Sequence, residues 1–159
     1  MTYLDGADRF HAKRAAGLSG TRFDGTQYDP EVDRQAAAAE HSAAKRMGCE
    51  FNSAILPGGD GGFDFEFKLS VEVYWLGMVA GRPREQGHLI INPLEPHRFA
   101  DIYVVVMGSI ENGFEIIGWT SHRVLTQSTK DFGYGPRYCV HTSKLWPIEK
   151  LQALRREAA

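Results

Sequence analysis

Two short stretches alternate apolar and polar residues without a break, Phe63-Asp64-Phe65-Glu66-Phe67-Lys68-Leu69 and Val71-Glu72-Val73-Tyr74-Trp75. A period of two is the mark of a half-buried strand, because successive side chains leave opposite faces of the backbone. The run Pro57-Gly58-Gly59-Asp60-Gly61-Gly62 precedes them and Ser70 connects them, so the pair predicts a hairpin or bent ribbon entered through a tight loop. The polar positions are unusually acidic: where a solvated strand face carries Thr, Ser and Lys, this one carries Asp64, Glu66 and Glu72. An Asp and a Glu on adjacent strands can converge, and their charges then repel unless a cation lies between them. Hard divalent cations such as Mg²⁺ favour carboxylate oxygens and are the usual solution.

A third carboxylate comes from a helix. Asp29-Pro30-Glu31 combines an N-cap acid, a proline at the first helical position and an acid near the positive end of the dipole. The spacing predicts a helix through the alanine-rich stretch to Met47, ending at Gly48. At 100° per residue, Val32, Ala36, Ala43 and Met47 form one apolar stripe, with Glu40 inside it and Arg34 and His41 elsewhere. An acid on a core-facing stripe is costly to bury alone, so it needs a partner; at the edge of the stripe it would reach water instead.

Acids in the order helix, strand, strand resemble the PD-(D/E)XK nuclease superfamily, in particular its small phage and bacterial members. The matching positions are Glu40, Asp64 and Glu72-Val73-Tyr74. The likeness continues through Gly87-His88-Leu89-Ile90-Ile91-Asn92-Pro93, Ala100-Asp101-Ile102-Tyr103-Val104-Val105-Val106 and Phe114-Glu115-Ile116-Ile117-Gly118-Trp119, so that it spans residues 30 to 150. The motifs are short, and their order carries the resemblance. It implies an α/β fold, a single-domain mixed β-sheet flanked by helices and restriction-endonuclease-like. It also implies metal-dependent hydrolysis of phosphodiester bonds in nucleic acid, with DNA the first expectation. Asp64, Glu72 and the carbonyl of Val73 would hold Mg²⁺ or Mn²⁺, and Glu40 would orient a water on the metal or join a second ion.

One position departs from the pattern. The family's lysine falls at Tyr74, which cannot supply a fixed positive charge beside an attacking water. Lys68 can take that role, since Asp64, Glu66 and Lys68 share one face of their strand. The other reading is a weakened site on a fold kept for binding or structure. A shifted register, with Asp60 as the acid and Glu66-Phe67-Lys68 as the Glu-x-Lys, ranks second because Asp60 lies within the glycine turn.

Composition narrows the alternatives. A chain of 159 residues with 43% hydrophobic content is enough for one well-cored domain, here residues 29 to 159 behind an N-terminal arm of residues 1 to 28. No apolar run is long enough to span a membrane, and the start lacks a basic-then-apolar signal pattern. Cys49 and Cys139 are distant from each other and read as core fillers of a reduced, cytoplasmic protein. A net charge of −2 argues against strong non-specific nucleic-acid binding, although Arg82, Arg84, His97, Arg98, Lys130, Arg137 and Lys144 are candidate local contacts. The six histidines show no zinc-hydrolase spacing, and His88 alone, beginning a strand, is a candidate base. There is no Gly-x-Ser-x-Gly elbow, and no Gly-Lys-Ser/Thr follows the glycine run. A homo-oligomer is left open.

Further along, residues 51 to 56 and 88 to 92 read as strands, and residues 102 to 107, apolar on both sides, as a central one. Glu111-Asn112-Gly113 predicts a hairpin turn, and Thr120 or Ser121 a cap for a short helix at Val124-Leu125. Residues 130 to 136 read as a loop and 138 to 141 as an edge strand. Pro147 opens a last helix with Ile148, Leu151 and Leu154 on one side.

Overall fold

In the computed structural model, which describes residues 30–48, 65–66 and 70–152, the alanine-rich segment forms helix α1, Pro30–Met47. It ends where expected: Gly48 takes φ 69° and its N–H donates to the Lys45 carbonyl at 3.1 Å. Lys45 and Arg46 lie in the last turn, at the negative end of the dipole. Nine strands follow among the described residues: β1 Phe65–Glu66, β2 Ser70–Trp75, β3 Met78–Val79, β4 Arg82–Pro83, β5 His88–Ile91, β6 Ile102–Ser109, β7 Gly113–Ser121, β8 Thr129–Asp131 and β9 Pro136–His141. A short helix α2, His122–Leu125, lies between β7 and β8, and the Ser121 hydroxyl caps it by accepting from the Val124 N–H.

The central sheet has the order β1-β2-β6-β7. β2 and β6 are parallel, with Val71 opposite Ile102 and Trp75 opposite Val106, while β1 and β7 pair antiparallel with their neighbours. As expected from its two-sided apolarity, β6 is interior, and Val104, Val105 and Val106 are all at most 1% exposed. Burying each contributes about 2 kcal/mol. β6 returns as β7 through the Glu111-Asn112-Gly113 turn, in register until a bulge between Val105 and Val106. That extra residue resets the alternation. Phe114 and Ile116 therefore share the side of Trp119, while Ile117 takes the other.

One side of this sheet is helical. Ala39, Ala43, Ala44 and Met47 of α1 pack on Val71, Val73, Ile102, Val104, Val106 and Trp119, joined by Ile148 and Leu151 from a helical stretch over 148–152. The expected stripe is correct at Ala43 and Met47, but Val32 and Ala36 are only half-buried. With alanines almost all round, hydropathy alone does not fix the rotation of the helix, and packing turns it toward Ala39 and Ala44.

The opposite side departs from the expectation of flanking helices. It is covered by a second, antiparallel sheet of order β5-β9-β8. Leu89, Ile91 and Val140 from that sheet, with Leu125 of α2, meet Leu76, Tyr103 and Val105. Residues 138 to 141 are accordingly not an edge: β9 pairs with β5 on one side and β8 on the other, and Lys130 and Asp131 belong to β8. The β9 pairs are each satisfied by a strand distant in sequence from it or joined by an irregular loop, which local pattern does not reveal.

Two polar joints tie the layers. Gln35, 2% exposed, accepts from the Ile110 N–H at 2.8 Å and donates to Glu31 and Glu111, clamping α1 to the β6–β7 turn. Arg34, expected to point away from the core side, makes a two-pronged pair with Glu31 at 2.8 Å beside this clamp. At Gly118 the 145–146 segment crosses β7 so closely that a Cβ would lie 2.7 Å from the Trp146 carbonyl oxygen. Trp119 and Trp146 there exchange both backbone hydrogen bonds at 2.9 Å. The arm over residues 1–28, the strand expected at 51–56, the glycine turn, Cys49 and Leu154 lie outside the described residues. Cys139 is buried, as a core filler should be.

Candidate functional site

β2 brings the acidic motif into the fold. Its alternation sends Val71 and Val73 to the helical side, so Glu72 and Tyr74 face the second sheet. The parallel register sets Glu72 beside Tyr103 and Val73 opposite Val104. Glu72 is partly exposed as a residue, yet its Oε2 is withdrawn from solvent. Tyr74 packs against the second apolar cluster.

Tyr103 is fully buried and continues the polar line inward. Its phenolic oxygen accepts from the Ala100 N–H at 3.2 Å and lies 2.8 Å from His122 Nδ1. The hydroxyl keeps a second lone pair and its own proton for this contact, so which partner donates follows the His122 tautomer. Burial pushes the Tyr103 hydroxyl up to about 12, and the charges of Glu72 and Asp101 add to that shift. Phe99 leans on the His122 ring at 4.6 Å. The start of the strand pair is locked by Ser70, whose N–H donates to Asp101 Oδ2 at 2.9 Å and whose hydroxyl accepts from the Asp101 N–H at 3.0 Å.

The other motif positions distribute as follows. Glu40 is half-buried on α1, on the helical side of the sheet, so the structure does not bring it to the face that carries Glu72. Glu66 has its backbone in β1, opposite Ser70. Asp64, Lys68 and Asp60 lie outside the described residues. β1 pairs antiparallel with β2 as Phe65–Val71 and Glu66–Ser70. Among the described residues no group of three or more His, Cys, Asp and Glu side chains is arranged to hold a metal.

Sequence reasoning missed Tyr103 and His122. Nothing in the local pattern marks them, since Tyr103 sits within an apolar run and its partner is the first residue of α2, nineteen positions on. His88, the candidate base, begins β5 directly opposite His141, their rings 4.9 Å apart, in the second sheet. Burial holds its imidazole below the ordinary histidine value, and His141 and Lys130 lower it further. Comparison with family models, with curated proteins and with solved structures finds no match to this chain.

Proposed function

We propose that this chain is a metal-dependent nuclease that hydrolyses phosphodiester bonds, with Asp64 and Glu72 as the pair holding Mg²⁺ or Mn²⁺. The supporting observation is Glu72, whose Oε2 is withdrawn from solvent on β2, the strand that pairs antiparallel with β1. Acids contributed by adjacent stretches of one ribbon can share a single ion, which offsets their mutual repulsion. Such an ion lowers the pKa of its bound water and offsets negative charge on the phosphate as the oxygen attacks phosphorus. Glu40, across the sheet, drops out of the inner set, and Lys68 is the cation assigned to the water. The finer fold assignment, restriction-endonuclease-like, belongs to this reading. The mixed sheet with α1 on one face supports it, and the second sheet on the other face is a departure from the implied flanking helices.

A second reading has its own observation. Tyr74, in the position of the motif lysine, is packed against the apolar cluster, as a residue recruited for structure would be. That favours a binding or structural protein on a nuclease-like fold. Cleavage separates the two. Purified protein should nick plasmid DNA or degrade single strands with Mg²⁺ or Mn²⁺ and not with EDTA. Asp64→Asn and Glu72→Gln should each abolish this while leaving the fold intact, and Lys68→Ala should slow it. No cleavage with either metal, together with no metal-induced rise in Tm, decides for the second reading.

A further inference from the structure

The β8–β9 hairpin carries a surface that the acidic site does not use. Its loop is set by one carboxylate: Asp131 Oδ1 accepts from the Gly133 N–H at 2.7 Å and the Gly135 N–H at 3.1 Å. Both glycines have positive φ, 106° and 96°, which an L side chain rarely adopts. The turn therefore presents Phe132 and Tyr134 side by side, their rings 6.3 Å apart and within 20° of parallel. Each ring has a cation beside it: Lys130 Nζ lies 5.1 Å from the Phe132 centroid and Arg137 Cζ 5.3 Å from that of Tyr134. His88 extends the row, 5.4 Å from Phe132.

All three β8 residues are exposed, as is Gly133, so the row stands at the outer border of the second sheet. The large aliphatic side chains exposed among the described residues, Val79 of β3 and Leu94 of the loop after β5, belong to other elements. A surface of flat rings flanked by cations suits a partner made of flat rings joined by anions. Single-stranded nucleic acid is that partner, because its base faces are open to stacking while its phosphates pair with Lys and Arg. A duplex hides the same faces inside its own stack. The only acid in the loop, Asp131, turns Oδ1 inward to the glycine amides.

We infer that Lys130, Phe132, Tyr134 and Arg137, with His88 at the end of the row, form a binding platform for single-stranded nucleic acid. Naming the bound strand as substrate rests on the nuclease reading; the platform itself is testable without it. The experiment is fluorescence anisotropy of a labelled oligothymidylate titrated with the full chain in EDTA at low salt. Binding is expected, with a matched duplex held more weakly. Phe132→Ala and Tyr134→Ala should each weaken binding by about 5- to 100-fold. Lys130→Gln should reduce the salt slope by about 0.7. Phe132→Trp should retain binding, which separates loss of stacking from loss of fold. Failure of the wild-type chain to bind overturns the platform. So do tighter binding of the duplex, equal binding of polyglutamate, or unchanged binding by a folded Phe132→Ala protein. Binding by the wild-type chain in EDTA, with no cleavage once Mg²⁺ or Mn²⁺ is supplied, counts against the nuclease and leaves the platform standing.

Discussion

On the helical side of the central sheet, Val71, Val73, Val104 and Val106 meet alanines and one methionine, whereas on the opposite side the same two strands present Glu72, Tyr74 and Tyr103 to a layer rich in rings. The first surface is held by close approach. Ala39 and Ala43, 0% and 1% exposed, let the helix backbone settle onto β-branched strands, and neither alanine nor valine has a long side chain to swing aside for added volume. The second surface keeps polar atoms inside and satisfies them, as Tyr103 does with Ala100 and His122. A sheet assembled this way confines rigidity to one face and leaves the other able to carry chemistry.

The sharpest way to break that division is at Gly118, where both faces are tied to the 145–146 segment. Gly118→Val sets a side chain against the Trp146 carbonyl and Leu145 Cβ, at 2.7 and 2.8 Å from the added Cβ. A loss of about 3 kcal/mol in urea unfolding is expected, from overpacking against backbone that cannot yield. If Gly118→Val is tolerated, the segment is not a fixed tie between the faces.

Next in size is a matched pair, one substitution per face. Ala43→Leu should cost about 2 kcal/mol by overpacking on the helical side. Tyr103→Phe keeps the ring and removes the oxygen that accepts from Ala100, and should cost about 1 kcal/mol through the buried N–H it strands. Equal costs, measured by chemical denaturation, would erase the contrast between the faces.

The smallest effect is a pH dependence confined to the second sheet. His88 faces His141, Lys130 and Phe132, and burial first, then the neighbouring charges, favours its neutral form in the folded chain. A depressed folded value means the contribution is complete above the unfolded value of 6.5 and is lost as pH falls through the folded one. The Tm of the wild type should therefore drop more between about pH 7 and about pH 5 than that of His88→Gln, by about 2 °C. An equal drop removes His88 from the acid response.

Much of the helical side was legible in advance. The Pro30 start, the Gly48 stop, the interior place of residues 102–107, the Asn112-Gly113 turn and the Ser121 cap all depend on local patterns that tertiary packing leaves intact. The other side was not. Alternation in β2 says that Glu72 and Val73 face apart, but not which of them the helix covers, and that choice separates Glu40 from Glu72. β9 read as an edge because its partner β5 lies far back in the chain. The aromatic row depends on a turn in which Asp131 and two glycines set ring against ring, a relation invisible in the order of residues.

The crossing at β7 also supplies an optical handle. Trp119 donates its indole N–H to the Pro147 carbonyl at 3.0 Å and meets the Trp146 ring edge-on at 4.8 Å. Two indoles held so near at a fixed angle of 63° should couple their electronic transitions and give a paired near-ultraviolet circular-dichroism signal. Trp75 sits apart, its indole N–H on the Gly108 carbonyl at 2.9 Å, so it reports the β2–β6 region separately. Release of the 145–146 segment would extinguish the coupled signal while the Trp75 environment persisted. The chain thus carries its own spectroscopic distinction between detachment of that seam and melting of the sheet beneath it.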